Sequence, residues 1–128
     1  MTHWLVYHNP DVMGGPPKIE VPPSVVTNQR TSAGPGDTVY LITGVGHPRV
    51  YTLVCRFTVA RLGPPRGRWD YQFVGRNPQW FGPKAELNHH KWFDRLRRAN
   101  GNFAFGMRRI TSQEALEGLD SCVSRFAR

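Results

Sequence analysis

The sequence predicts an α+β domain: a strongly bent sheet or small barrel of roughly five or six mostly antiparallel strands, with two or more flanking helices. Three observations lead there. Gly36 to Arg61 reads as a β-hairpin, Trp69 to Val74 alternates along one aromatic face, and two later segments carry apolar residues at helical spacing. A chain of 128 residues is long enough for one domain, 1–128, with a core of its own.

The elements follow in order. His3 to His8 is a first strand, stopped by the turn-forming run Asn9-Pro10-Asp11. Residues 13–37 are irregular by composition, with prolines on both sides of Ile19 to Val21, and Val25 to Ser32 has room for one helical turn. Pro35-Gly36-Asp37 turns the chain into the hairpin. Val39 to Val45 is almost wholly apolar, as in a strand covered on both faces. Gly46, His47 and Pro48 supply the turn, and in the return strand Tyr51, Leu53, Cys55, Phe57 and Val59 share one face.

Gly63 to Gly67 breaks the chain again before the aromatic strand, and Gly75 to Pro83 reads as a loop carrying Trp80 and Phe81. A helix follows, capped by Asn88 or begun near Pro83, and ending at Asn100-Gly101. Trp92, Phe93, Leu96 and Ala99 form its apolar stripe, and Asp94 is placed to pair with Arg98. Phe103 to Ile110 reads as a short strand. Thr111 and Glu114 form a capping box for a terminal helix whose inner side carries Ala115, Leu116, Leu119, Cys122, Val123 and Phe126.

Bulk composition narrows the function. Hydrophobic content of 39% with 12% aromatics belongs to a folded chain rather than a disordered one. No apolar run approaches membrane-spanning length, and no basic segment with an apolar core opens the chain, so the expectation is a cytoplasmic protein with no membrane partner. Cys55 and Cys122 match neither a disulfide framework nor a metal motif and read as buried thiols. The net charge of +8 is concentrated: residues 65–128 hold twelve Lys/Arg against six Asp/Glu, and residues 1–64 five against three. A basic half of this kind suits a phosphate-bearing partner, and equally a merely solvated surface.

The opening HWLVYHNPD, the strand entry Gly36-Asp37-Thr38-Val39, and the closing Trp92 with Gly101-Asn102-Phe103-Ala104-Phe105-Gly106 together resemble EVE domains, in the same order along the chain. The resemblance implies a PUA-like pseudo-barrel related to the YTH and ASCH folds. It also implies a reader of modified bases, which takes one flipped nucleobase into a pocket of aromatic and polar groups. The Trp-Asp-Gly-Val-Arg-Asn type of run usual in EVE domains is not visible in residues 13–37.

Under that resemblance the base pocket draws on the ends of the first strand and of the Gly-Asp strand. These supply His8, Asn9, Thr43 and Gly44, with Asn102 as a further polar candidate. Gly44 marks either a close ligand approach or a bulge. Trp80, in a polar loop, is a stacking wall or a packed residue, and Trp69 is likewise a second wall or a core residue. Arg66, Arg68, Lys91, Arg95, Arg97, Arg98, Arg108 and Arg109 would hold the backbone of modified DNA or RNA, or form solvated faces with weak ion pairs.

No cofactor or metal is expected. His89 and His90 point about 100° apart on a helix and have no third ligand at motif spacing. The expected chain is a monomer that performs no chemistry. The alternatives are an ASCH-like amidohydrolase of a modified nucleoside and a basic protein-interaction module. Hydrolysis needs a facing Lys and Glu, and Lys18 and Glu20 fall in the irregular segment while Lys84 and Glu86 flank a helix start. No such pair sits in a strand expected to border the pocket.

Overall fold

The computed structural model describes residues 1–82, 84–103 and 106–126. In chain order they form β1 (His3–His8), α1 (Pro10–Met13), β2 (Ser24–Thr27), β3 (Thr38–Val45), β4 (Val50–Gly63) and β5 (Tyr71–Trp80). Then come α2 (Lys91–Ala99), a 3-10 turn at Gly101–Phe103, β6 (Met107–Arg109) and α3 (Gln113–Phe126). The six strands make one sheet in the order β2-β5-β4-β3-β1-β6, and β1 with β3 is its one parallel pair. The class is α+β, with the sheet curled into a half-barrel.

The curl follows from where the apolar residues go. Val25 from one edge strand and Met107 from the other join a single cluster with Trp4, Val39, Phe57 and Phe73, so the sheet wraps around it. The outer face packs a second cluster, in which Leu5, Tyr40, Ile42 and Leu53 meet Phe93 and Leu96 of α2 and Leu119 and Cys122 of α3. β3 is therefore covered on both faces, which is why its sequence is apolar throughout. A fully buried side chain of this size contributes about 1.5–3 kcal/mol.

The alternating face read on β4 is real but divided. Leu41 pairs with Cys55 and Ile42 with Leu53, so Val54 is an extra residue and the strand bulges there. Tyr51 and Leu53 consequently enter the outer cluster, and Cys55, Phe57 and Val59 the inner one. A close approach of β5 completes the inner packing: a Cβ on Gly75 would lie 2.1 Å from the Phe57 ring.

Several local expectations need correction. The helical turn expected over Val25 to Ser32 is instead strand β2, which pairs with β5 from Ser24↔Val74 to Thr27↔Tyr71. The predicted loop after Gly75 continues β5 as far as Trp80. Asn77 takes a left-handed φ of 52°, and the register steps from Thr58↔Arg76 to Arg56↔Gln79, so a bulge absorbs Asn77 and Pro78 and the proline's missing donor.

Asn88 does not cap α2. Its side chain accepts from the Tyr51 amide at 2.6 Å and donates to the Arg49 carbonyl at 2.8 Å, tying the segment before the helix to β4. α3 is capped by Ser112, whose hydroxyl accepts from the Ala115 amide, while Glu114 pairs with Arg95 across to α2. Asp94 does pair with Arg98, and also with Arg97. The strand expected from Phe103 is shorter, Met107–Arg109, and follows the 3-10 turn. Pro83, Ala104 and Phe105, named in the sequence reading, lie outside the described residues.

Cys55 and Cys122 are both free and buried, and burial pushes the Cys55 thiol up to about 12. Among the described residues, no helix is long and apolar enough to cross a membrane, and no three His, Cys, Asp or Glu side chains are grouped to hold a metal.

Asp37 fixes the entry to β3. Its carboxylate accepts from the Thr2 amide, the Trp4 indole and the Gly34 amide at 3.1–3.2 Å. Burial works to raise its carboxyl pKa, but these three bonds and the N-terminal charge outweigh it and hold the group below its ordinary value. Stability from a depressed carboxyl is present above the unfolded pKa and lost as pH falls through the folded one. Asp37→Ala is expected to cost about 1–3 kcal/mol at neutral pH. In denaturant titrations that difference should shrink below about pH 4. A cost independent of pH would contradict this role.

Candidate functional site

A cleft of about 830 Å³ opens where the C-terminal end of β1, the loop leading into β2, and the loop between β4 and β5 converge. The last of these, residues 64–70, crosses it as a strap. Gly67, at a φ of 58°, allows a tight turn in which the Arg66 and Trp69 backbones exchange hydrogen bonds at 2.9 and 3.0 Å. The strap is tied down on three sides. Arg68 donates to the Val12 carbonyl of α1 at 2.9 Å, Arg66 lies 3.5 Å from Glu20, and the Asp70 amide donates to the Asn28 side chain at 2.8 Å. These are exposed contacts of the kind that exchange readily with solvent or a ligand.

Of the sequence-predicted base-pocket residues, His8, Asn9, Trp69 and Asn102 line this cleft. His8 donates through Nε2 to the Gly15 carbonyl at 2.8 Å, and the Asn9 side chain caps α1 by accepting from the Asp11 amide. Trp69 is half-buried in the strap, with the Arg68 guanidinium 4.9 Å above its ring.

Thr43, Gly44 and Trp80 are not among the lining residues. Thr43 is buried and donates its hydroxyl to the His8 carbonyl at 2.8 Å, so it supports the end of β1 from behind. Gly44 does mark a close approach, but of the protein's own rings: a Cβ there would lie 3.0 Å from Tyr51 and 3.2 Å from the Tyr7 hydroxyl. Trp80 ends β5 and packs against the inner cluster, because the polar run before it is strand rather than loop.

The basic residues divide in the same way. Arg66 and Arg68 line the cleft, and Lys91, Arg95, Arg97 and Arg98 on α2 and Arg108 and Arg109 on β6 do not. Arg95 and Arg98 are held by Glu114 and Asp94, and Arg97 by Asp94 and Asn102.

Sequence reasoning missed the closed end of the cleft. Tyr7, Tyr51 and Phe103 meet there with ring centroids 5.6–5.9 Å apart. Burial raises the Tyr7 phenol pKa and Arg49 opposes the rise, while Tyr51 and Asp11 add to it. Arg49 donates to the Gly44 carbonyl at 3.0 Å and to Asp11 at 2.7 Å, and so joins the β3–β4 turn to α1. Lys18 and Glu20 also line the cleft, from the loop leading into β2 and not from a strand.

The 3-10 turn is a strained element beside this end. Gly101, Asn102 and Phe103 all take left-handed φ values of 55–64°. For a bulky residue such as Phe103 that costs on the order of 1–3 kcal/mol. It persists because Phe103 is buried among the aromatics and because its amide donates to the Asn100 carbonyl at 2.9 Å. The result places Asn102 on the cleft wall and Phe103 at its closed end, packed into the outer cluster. A Gly-Asn pair before an aromatic is the signal for such a turn, although it also reads as a plain helix stop.

The cleft gathers flat aromatic surface, several hydrogen-bonding amides, a Lys and a Glu, and arginines in one concavity. No family model matches the chain, and neither does any curated protein or solved structure.

Proposed function

We propose that this chain is an EVE-like, PUA-like module that binds DNA or RNA and takes one modified nucleobase into the cleft. The observation that carries the reading is the convergence of Trp69, Arg66 and Arg68 of one strap with His8, Asn9 and Asn102 on a single cleft of about 830 Å³. That volume lies within the roughly 300–1,000 Å³ of small-molecule sites. An indole offers a stacking surface that any base can use, and arginines at a rim hold phosphates without reading sequence. The ordered resemblance of both ends and the middle of the chain to EVE domains supports the same reading.

Fluorescence anisotropy with single strands carrying one central modified base tests it. At an ionic strength of about 0.15 M, a strand with the cognate modification should bind about ten-fold or more tightly than its unmodified twin. Equal affinities across a panel of methylated, hydroxymethylated and acylated bases would remove the reader function and leave general nucleic-acid affinity.

One observation favours a hydrolytic alternative. Lys18 and Glu20 line the same cleft, and an ammonium with a carboxylate is the pair that acyl-group hydrolysis uses to activate water and move its proton. That reading predicts release of the acyl group from N4-acylated cytidine. An unchanged substrate after prolonged incubation would dispose of it.

A further inference from the structure

We infer that the outer face of β4 and β5 is a phosphate-binding track, along which a single nucleic-acid strand runs after it leaves the cleft past Arg66. This rests on the nucleic-acid reading above and adds the course of the backbone to it.

Strand register puts three arginines on that face. Cys55, Phe57 and Val59 point into the inner cluster, so Arg56 and Thr58 between them point outward. Arg76 lies opposite Thr58 and shares its side of the sheet. The bulge between Val59 and Arg61 sets Arg61 opposite Val74, which lies between Phe73 of the inner cluster and Gly75 against the Phe57 ring. Arg61, Arg76 and Arg56 therefore follow one another along the outer face. The rungs of Arg61 and Arg76 are two residues apart on β5, about 7 Å, comparable to the separation of neighbouring phosphates in an extended strand.

The helices stop short of this row. The outer cluster that seats α2 and α3 takes no residue of β4 beyond Leu53 and none of β5. α3 reaches as far as Tyr40, whose hydroxyl donates to Asp120 at 2.6 Å, and Arg56 lies 5.7 Å from the Tyr40 ring centre at that margin. Arg61 and Arg76 are exposed.

The charge of the row is also uncompensated. β4 and β5 contain no Asp or Glu, and among the described residues none of the three arginines makes an ion pair. Arg56 reaches only the Gln79 side-chain oxygen, at 3.4 Å. On α2, by contrast, Asp94 and Glu114 occupy Arg95, Arg97 and Arg98. Guanidinium groups held in register by a sheet suit a row of phosphates, because each planar fork can take two phosphate oxygens.

The row is continuous with the cleft. Arg66 lines the cleft and also, with Arg61 and Gln72, a shallow depression of about 460 Å³ beside it. Glu20 lines both as well, but its 3.5 Å pairing with Arg66 is exposed and weak, so a phosphate can displace it. This continuity favours a nucleic-acid strand over an anionic lipid surface, which the exposed Val21 beside the depression would also suit.

The test measures anisotropy of a fluorescent twelve-nucleotide oligothymidine with the double variant Arg61→Gln/Arg76→Gln. Both side chains are exposed, so its thermal melt should not move. Its affinity at about 0.15 M salt should fall about ten-fold, and the slope of log K against log salt should flatten by about 1.4, two single-strand contacts. Lys91→Gln/Arg109→Gln removes the same charge from two exposed residues elsewhere and should change affinity less than two-fold. An unchanged affinity and slope, or a loss no larger than that of the control pair, would overturn the track. So would binding to vesicles of equal parts phosphatidylserine and phosphatidylcholine that depends on Arg61 and Arg76 while oligothymidine is ignored. Arginine-dependent strand binding with no preference in the modified-base panel would support the track and remove the base-reading function.

Discussion

Trp69→Ala is expected to weaken binding of a base-bearing single strand by about ten- to a hundredfold, the loss of one base–indole stack. Its unfolding midpoint should hardly move. Trp69 is half-buried on a strap held by exposed contacts, and lies outside both hydrophobic clusters. The informative companion is Trp80→Ala, which removes an indole packed against the inner cluster. That variant should lose stability and keep its affinity. Anisotropy and thermal melts on the two proteins check both statements. Equal affinities for Trp69→Ala and the unaltered protein would detach the indole from any role in binding.

Gly75→Ala is expected to be among the most damaging single substitutions in the sheet, although it adds only a methyl group. The added carbon would lie 2.1–2.7 Å from atoms of the Phe57 ring, and both residues are buried. Phe57 cannot retreat, because it is 1% exposed in the cluster the half-barrel wraps around. Overpacking of this kind costs about 3 kcal/mol, or roughly 10 °C in midpoint for a domain of this size. In a Phe57→Leu background the same substitution should cost much less, since the ring it strikes is gone. A midpoint within about 1 °C of the unaltered protein would mean that the two strands separate more easily than their packing implies.

Much of the fold was legible because its signals are local. β1, the β3–β4 hairpin and the two long helices declare themselves through periodicity over six or more residues, and the mostly antiparallel α+β class follows from them. What was hidden depended on partners far away in sequence. β2 is four residues at a sheet edge, too short to establish alternation, and it is a strand because Val25 completes a cluster whose other members, Ala33 apart, lie on the five other strands. The extension of β5 through Asn77 and Pro78 was masked by two turn-forming residues that a bulge absorbs. Asn88 and Glu114 have the residue types of helix caps and are used elsewhere, one to hold β4 and the other to bridge α2 and α3.

The cleft was legible in part. His8 and Asn9 were named through the resemblance, as the end of the first strand, with Asn102 as a further polar candidate, and the strap arginines stood out by charge. Tyr7, Tyr51 and Arg49 did not, because strand alternation explains the tyrosines as core and a single arginine beside a turn carries no pattern. Only the folded chain brings Arg49 to Asp11, at a sequence separation of 38 residues. Thr43 and Gly44 were drawn to the right end of the right strand but stand one layer behind the surface, where they fix the backbone of β1 and admit the tyrosine rings.

The proposed function requires a nucleic acid to touch the protein at the cleft. The most direct measurement is an amide and indole chemical-shift titration of the isotope-labelled chain with a short single strand carrying a modified base. It predicts perturbations concentrated on Tyr7 to Asn9, Thr27 to Gln29, the Trp69 indole and Asn102, around the one cleft they share. Perturbations confined to the exposed face of α2 around Lys91, Arg95 and Arg98, with the cleft silent, would contradict it.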